Sequence, residues 1–394
     1  MRKISLNIIT IIAILLLAQA SFGATSFDPA GAALGARPMG MGRAYIGLAD
    51  DTNTLFLNPA GLATMDKWSA TSMYTRLLET VDYRLLGGTY KTEYGTVGFG
   101  YIGTSNPAGY HTGASSDEVY SKMSFDTHTL IISYGNKMDN LIEIDGMPED
   151  TCVGADLKIL SQGLSGSGQN DKSGFGFNVD LGAVAKLTPW AKAGLTLNNL
   201  IPGTMSWAGG TSEDMPMKLN LGGAFNLMGP QGISLYEDEQ TLLGVLDASM
   251  GFSAEDGFTL HGGLEWKPIE YLNVRCGLDQ TNISAGDGSI SSVFNLTAGV
   301  GFSYAGITFD YAYHQDANLE ANQNHYFSIS YSPEEAKKAS AQEAKEKSKT
   351  AKAEDPGYYY DESGYLIIED EEAELDIEEE SELENETSLL VIEE

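Results

Sequence analysis

Several residue types are scarce in this chain of 394 residues, and each scarcity excludes a class of protein. Two cysteines can form at most one bridge, so no disulfide framework is present. The five histidines are scattered, with no pair four residues apart and no cysteine close by, so no zinc site is visible. Basic residues number 23 against 55 acidic ones, and a net charge of −32 excludes binding to nucleic acid phosphates.

Catalytic motifs are lacking as well. No Gly-x-Ser-x-Gly elbow of a serine hydrolase occurs. Residues 98–103 match the dinucleotide-binding fingerprint, but they lie in an alternating strand pattern with no helix after it, so the context that the motif needs is missing. His261 and His314 are predicted to face the polar side of their strands, as hydrogen-bonding wall residues. The sequence therefore predicts a protein that is not an enzyme and needs no cofactor.

A long apolar run is found at the N-terminus and nowhere else. Arg2 and Lys3 precede an apolar core at 8–18, and a small-x-small site at 21–23 follows, so residues 1–23 are predicted to be a cleaved signal peptide. The apolar core is too short for a membrane helix. If the mature chain lies in a membrane, it must cross as a closed β-barrel.

Alternation of apolar and polar residues extends from Lys67 to Tyr331. Residues 293–304, for example, place six apolar side chains on one face and five small or polar ones on the other. Segments of this kind are predicted at 67–77, 81–91, 95–103, 126–135, 151–162, 174–186, 190–199, 217–227, 241–254, 258–267, 271–279, 293–304, 306–314 and 324–331. An even number of strands is typical of single-chain outer-membrane barrels. The predicted fold is all-β, a transmembrane antiparallel β-barrel of about 14 strands over residues 67–332.

Connections between the predicted strands fall into two groups. Those near 189, 269 and 305 are tight and predict a periplasmic side, whereas longer ones such as 104–125 and 200–216 predict loops that face outward. The connections at 136–150 and 228–240 do not follow this rule.

Charged residues are predicted on the inward faces of the strands. By parity these are Asp156, Lys158, Asp180, Lys186, Lys192, Lys218, Asp247, Glu265, Lys267, Arg275, Asp279 and Asp310. The first interpretation is a set of lumen ion pairs between neighbouring strands, and the alternative is a charged path that selects a cargo.

The segment before the strands, residues 24–66, has the composition of a bent, compact structure outside the barrel. Glycines at 35, 40 and 42 around Pro38 disfavour a regular helix. Residues 43–49 are predicted to form about two helical turns, with a second short helix capped by Asp50 and Asp51 and ending at 57.

Asn58 is predicted to cap a further helical turn with Pro59 in its first position, where the missing N–H of proline is not needed. Residues 35–63 resemble the N-terminal segment of the FadL-type hydrophobic-compound channels and of the related PorV/PorQ outer-membrane proteins. The residues that carry the resemblance are Gly40, Gly42, Ala44, Tyr45, Asp50, Asp51, Asn58, Pro59, Ala60 and Gly61.

The first six of these residues are closer to the PorV/PorQ group, and Asn58-Pro59-Ala60 is shared by both groups. In FadL-type proteins the segment folds into the lumen as a hatch, so the resemblance implies a hatch at residues 24–66. A helical pack beneath some other all-β domain is the alternative.

Residues 333–394 contain 22 acidic side chains and six lysines, which predicts a largely disordered periplasmic tail. Its apolar patches at 366–368 and 389–392 suit docking on a periplasmic or secretion-system protein. A passive solubilising extension is the alternative.

Two functions follow from the predicted barrel, both at the bacterial outer membrane and in contact with its lipid. The first is a passive channel for a hydrophobic, fatty-acid-like ligand. The second is a scaffold or shuttle of a protein secretion system that transports nothing through its lumen.

Overall fold

The computed structural model describes residues 29–333 with short gaps, and two segments of the tail. The gaps are 32–33, 66, 114–115, 143, 145, 149, 167–170, 201–202, 235–239, 253–256, 285–289 and 318–322, and the tail segments are 358–360 and 366–368. The predicted signal peptide, the start of the predicted hatch segment and most of the predicted acidic tail lie outside the described residues.

Sixteen strands form one antiparallel sheet, and fourteen of them close into a barrel. The strands are β1 Trp68–Leu77, β2 Val81–Thr92, β3 Gly95–Gly113, β4 Ser116–Lys137, β5 Cys152–Ser165, β6 Lys172–Thr188, β7 Ala191–Asn198, β8 Gly203–Trp207, β9 Ser212–Met215, β10 Lys218–Met228, β11 Thr241–Gly251, β12 Phe258–Ile269, β13 Leu272–Ser284, β14 Ile290–Tyr304, β15 Ile307–Gln315 and β16 Gln323–Tyr331. Closure comes from β1 pairing with β16, with Ala70 opposite Tyr331 and Thr75 opposite Tyr326. The predicted barrel of about 14 strands is confirmed.

The two ends of the barrel differ. We call the end with the first residue of β1 and the last residue of β16 the near rim, and the opposite end the far rim. Tight turns β6–β7, β12–β13 and β14–β15 lie at the near rim, and the longer connections lie mostly at the far rim.

Two predicted far-rim loops are wrong, because strand structure continues into them. Most of the predicted loop 104–125 belongs to β3 and β4, which pair as far as Gly113 and Ser116. The predicted loop 200–216 contains the hairpin β8–β9, of which β8 pairs with the far-rim end of β6 at Phe175. Alternation of apolar and polar residues is weak in these segments, so periodicity did not identify them.

The outer face of the barrel is apolar. Large side chains that point outward and are exposed include Leu221, Leu246, Leu278, Phe294 and Leu296. A wall of this kind suits lipid, since every backbone N–H and C=O of a closed barrel is bonded between strands. Cys276 lies on this face and is exposed, whereas Cys152 is buried, and both are free thiols.

The segment before β1 is compact and irregular. It contains helix α1 Ala36–Gly40, helix α2 Thr54–Leu57 and 3-10 turns at Pro29–Gly31 and Pro59–Thr64. The two predicted helical turns at 43–49 are wrong, because that stretch forms isolated turns instead. A short helix occupies Ala36–Gly40, since proline is tolerated in the first turn of a helix.

The predicted caps of this segment have mixed outcomes. Helix α2 begins after Asn53, and the carboxylate of Asp51 accepts the Asn53 amide N–H at 2.7 Å rather than capping the helix itself. The predicted cap of the next turn is present: Asn58 Oδ1 accepts the Ala60 amide at 3.2 Å, with Pro59 in the first position.

In the tail, two short strands pair antiparallel, β17 Tyr358–Tyr360 and β18 Leu366–Ile368. This pairing lies in a stretch predicted to be largely disordered. Within the described part of the chain, no helix is long and apolar enough to cross a membrane.

Candidate functional site: the segment inside the barrel

Residues 34–65 occupy the lumen, and the wall that receives them is made of glycine. Eleven inward-facing glycines on ten strands approach this segment, which we call the hatch, and we call them the glycine belt. They are Gly87, Gly98, Gly100, Gly135, Gly154, Gly182, Gly194, Gly222, Gly263, Gly277 and Gly299.

At eight of the belt glycines hatch backbone and wall backbone touch, and at the other three, Gly87, Gly98 and Gly100, the wall meets the side chains of Leu55 and Phe56. A Cβ atom added to Gly154 would lie 2.3 Å from the carbonyl carbon of Pro59, and one added to Gly277 would lie 2.3 Å from the amide nitrogen of Gly42. Any side chain other than hydrogen at these positions would displace the hatch. Gly42 itself has a φ of 64° and packs against wall carbonyls of β12 and β13, which requires glycine.

The step Asn58-Pro59-Ala60 of the predicted motif fixes the hatch at β4, β5 and β6. Asn58 Nδ2 donates to the Ile46 carbonyl at 2.8 Å and to the wall carbonyl of Ala183 at 3.3 Å. Pro59 and Ala60 are buried against Gly154 and Gly182. A Cβ on Gly61 would lie 2.2 Å from the Ala49 carbonyl oxygen, so this glycine permits the hatch to fold on itself.

Asp247 of β11 anchors the middle of the hatch. Its Oδ2 accepts the amide N–H groups of Tyr45 at 2.6 Å and of Ile46 at 2.8 Å. A buried carboxylate that binds consecutive amides is a strong, charge-assisted contact. Ala44, next to these residues, is completely buried.

Arg37 of α1 joins the hatch to the wall through acids on both sides. Its guanidinium donates to Glu265 at 2.9 and 2.8 Å, to Asp50 at 2.7 Å and to Asp51 at 2.8 Å. Burial opposes the charge, but the carboxylates of Asp50, Glu265 and Asp51 raise the pKa of Arg37 well above its usual range. The guanidinium is therefore permanently charged.

The network of Arg37 continues along the wall. Glu265 also accepts from Arg275 Nε at 2.6 Å, and Arg275 Nη1 donates to Asp310 at 2.6 Å. These three wall residues lie on β12, β13 and β15, on the near-rim side of the belt.

Tyr45 closes the hatch on itself. Its hydroxyl donates to Asp51 Oδ1 at 2.6 Å and accepts the Asp50 and Asp51 amides at 3.2 and 3.0 Å. Burial, and then the charges of Asp51 and Asp50, raise the pKa of Tyr45 well above its ordinary value, so the phenol keeps its proton.

A second polar cluster lies on the far-rim side of the belt. Asp279 of β13 accepts from His261 Nδ1 and from His314 Nε2, both at 2.8 Å, and the Arg43 guanidinium of the hatch lies 4.0 Å away. Both histidines thus face the lumen, as their strand parity predicts.

A third cluster lies on β5 and β6. Lys158 Nζ is 2.9 Å from Asp180 Oδ2, and Asp156 stands directly opposite Asp180 in the strand register. All three are buried. Lys186, in contrast, is exposed near the near rim, and Lys218 is half-buried at the far-rim end of β10.

Of the twelve wall residues singled out from sequence, eight are buried in the lumen, in the clusters described above or, for Asp247, against the hatch. Sequence reasoning missed Arg37, although it sits inside the recognised motif between Gly35 and Pro38. It also missed the belt, whose signal is a glycine at inward parity on most strands. Among the described residues, no group of three or more histidine, cysteine or acidic side chains can hold a metal ion.

No family model matches the chain, and no curated protein matches it in sequence. Among solved structures, the CymD monoaromatic hydrocarbon channel gives a TM-score of 0.52 at 12% identity, over 78% of this chain and 98% of that chain. The Ralstonia pickettii toluene transporter TbuX gives 0.47 at 12% identity, over 75% and 97%. A Pseudomonas aeruginosa FadL homologue gives 0.46 at 12% identity, over 79% and 100%. The likeness to CymD shows a shared fold, and the two lower scores add nothing to it.

Proposed function

We propose that this protein is a passive outer-membrane channel for small hydrophobic molecules, with the near rim in the periplasm and the hatch as its gate. The observation that carries the proposal is a lumen filled by the segment that precedes β1, which polar contacts of Arg37 and Asp247 fix to strands elsewhere in the wall. Such a segment can shift when the contacts of Arg37 and Asp247 are exchanged for others.

Two further observations support the proposal. The barrel shares its fold with the CymD monoaromatic hydrocarbon channel. The apolar outer wall is consistent with a position in lipid, which a channel between the two faces of a membrane requires.

The test is to lock the hatch to the wall. The Ala36 amide nitrogen lies 2.8 Å from the Ser328 hydroxyl of β16, so the double variant Ala36→Cys/Ser328→Cys is expected to form a disulfide, in a background with both native cysteines changed to serine. The matched control is Ser303→Cys/Thr308→Cys, whose hydroxyls are 2.9 Å apart within the wall.

Uptake of a labelled monoaromatic hydrocarbon and of a labelled fatty acid is measured in cells that carry each variant in the outer membrane. We call the disulfide between Cys at positions 36 and 328 the hatch lock. We expect uptake when this disulfide is reduced and loss of uptake when it is oxidised, with no effect of redox state in the control. Equal uptake in both redox states of the hatch lock would refute the gate.

The second candidate is a non-transporting scaffold of the PorV/PorQ type in a secretion system. Backbone contact between hatch and wall at many points of the belt favours it, because so close a fit suits a fixed plug. In that case neither redox state supports uptake, and truncation after Tyr331 removes a co-purifying protein partner.

A further inference from the structure

A buried carboxylate between two histidines lies beside the hatch and has no part in the gate as described so far. The side chains of Asp279, His261 and His314 are 1%, 12% and 9% exposed. Asp279 has both oxygens engaged, one by each imidazole. His261 Nε2 is 3.1 Å from the Thr259 hydroxyl, while His314 Nδ1 is buried with no partner.

The cluster is placed where the hatch crosses the belt. On β13, Asp279 lies two residues from the belt glycine Gly277, and on β12, His261 lies two residues from the belt glycine Gly263, so each pair shares the inward face. Both glycines contact hatch residues 41–42. His314 stands opposite Thr297, whose hydroxyl accepts the Gly42 amide at 3.0 Å.

The hatch contributes its own charge to this cluster. Arg43 Nη1 lies 4.0 Å from Asp279 Oδ2, and Arg43 Nη2 donates to the Gly31 carbonyl at 2.5 Å. Other charged or titratable groups that act on the cluster include Asp247 of β11, which acts on His261, and Tyr326, which interacts with Arg43, Asp279 and Asp316.

We propose that the Asp279–His261–His314 cluster is a proton-binding site that loosens the hatch in acid. The inference rests on the proposed function in one respect, namely that the hatch moves. With neutral imidazoles, the charges of Arg43 and Asp279 balance. Each proton that binds adds a positive charge beside the carboxylate, and that charge repels the Arg43 guanidinium.

The network of Arg37 does not share this response. Histidine is the side chain whose ordinary pKa falls between pH 5 and 8, and the network of Arg37, Glu265, Arg275 and Asp310 contains none. Acid therefore weakens the far-rim side of the hatch and leaves the near-rim side attached. The expected motion is a tilt of residues 41–46 away from β12 and β13.

The experiment is single-channel KCl conductance of the full-length protein in planar bilayers at about pH 7.5 and about pH 5.5. We expect the open probability of the native protein to rise about tenfold in acid, which lies within the range of about 5-fold to 150-fold that is usual for coupling between two sites. The double variant His261→Gln/His314→Gln should lose this response. Arg43→Gln should open more at neutral pH and respond little to acid.

A matched control changes two histidines on the outer face, His128→Gln/His325→Gln, each of which contacts a tyrosine hydroxyl at 2.8 Å. It should keep the acid response of the native protein. Hydrogen exchange of residues 36–46 in each variant reports whether the hatch is seated at neutral pH, so a variant that fails to fold is recognised.

A native conductance that does not change with pH, or a His261→Gln/His314→Gln variant that still opens in acid, would overturn the inference. Potassium chloride needs no hydrophobic cargo, so the two proposals fail separately. If the channel opens in acid but takes up no hydrocarbon, the proposed transport function is refuted and the proposed proton site is supported.

Discussion

Replacing Arg37 by alanine removes the side chain that ties α1 to the wall and to Asp50 and Asp51. The side chains of Arg37 and Glu265 are 14% and 11% exposed, so their ion pair is largely desolvated. Removing one member of a buried pair costs about 3–5 kcal/mol, because the remaining charge is left without its partner. Glu265 keeps Arg275 at 2.6 Å, and the two aspartates are about a third exposed, which places the expected cost near the lower limit.

We expect the loss of about 3 kcal/mol to destabilise the seated hatch and not the barrel. The population of the displaced hatch then rises about 100-fold, since each 1.4 kcal/mol is a factor of ten in an equilibrium. Hydrogen exchange of residues 36–57 measures this local opening directly, and KCl conductance measures its effect on the pore. The melting temperature of the barrel should change little.

Two further variants make the test specific. Arg37→Lys keeps the charge and loses the forked geometry, so it should fall between the native protein and Arg37→Ala. Arg76→Ala removes an arginine whose ion pair with Asp82, 3.0 Å long, is exposed on the barrel. We expect no effect on the hatch from Arg76→Ala. If Arg37→Ala exchanges and conducts like Arg76→Ala, the network does not hold the hatch and the reasoning is refuted.

Three other outcomes follow from the site. Gly277→Val should displace the hatch and raise KCl conductance. Gly244→Val should not, because Gly244 lies on the outer face and its new Cβ meets a flexible leucine at 3.3 Å rather than hatch backbone. Equal conductance of the two variants would contradict the role of the belt. Asp247→Ala leaves two buried amides without an acceptor, and each unsatisfied amide costs about 1–3 kcal/mol of stability. Amide hydrogen exchange of residues 44–47 should therefore become about tenfold faster or more. Unchanged hydrogen exchange would show that water replaces the carboxylate. Asn58→Ala removes a cap worth about 1 kcal/mol together with two hydrogen bonds, and should speed amide hydrogen exchange of residues 58–64. If hydrogen exchange there does not change, the turn is held by packing alone.

The sequence by itself determined the barrel. Period-two alternation fixes which side chains face lipid and which face the lumen, so the strands of the barrel and the inward placement of residues such as Glu265, Asp279 and His314 follow from it. The cap at Asn58 and Pro59 was equally readable, since it depends on neighbours within three residues.

Only the tertiary structure decided what the inward residues do. Asp279 meets His314 across 35 positions, and Arg37 meets Glu265 across 228, and no local pattern encodes such pairs. The glycines of the belt are the clearest case. In the sequence they interrupt the polar face of ten strands with no visible reason, and the reason appears once the hatch is placed against them. The fold is set by local periodicity, whereas the gate depends on which backbone fills the lumen, and that is settled by packing at long range.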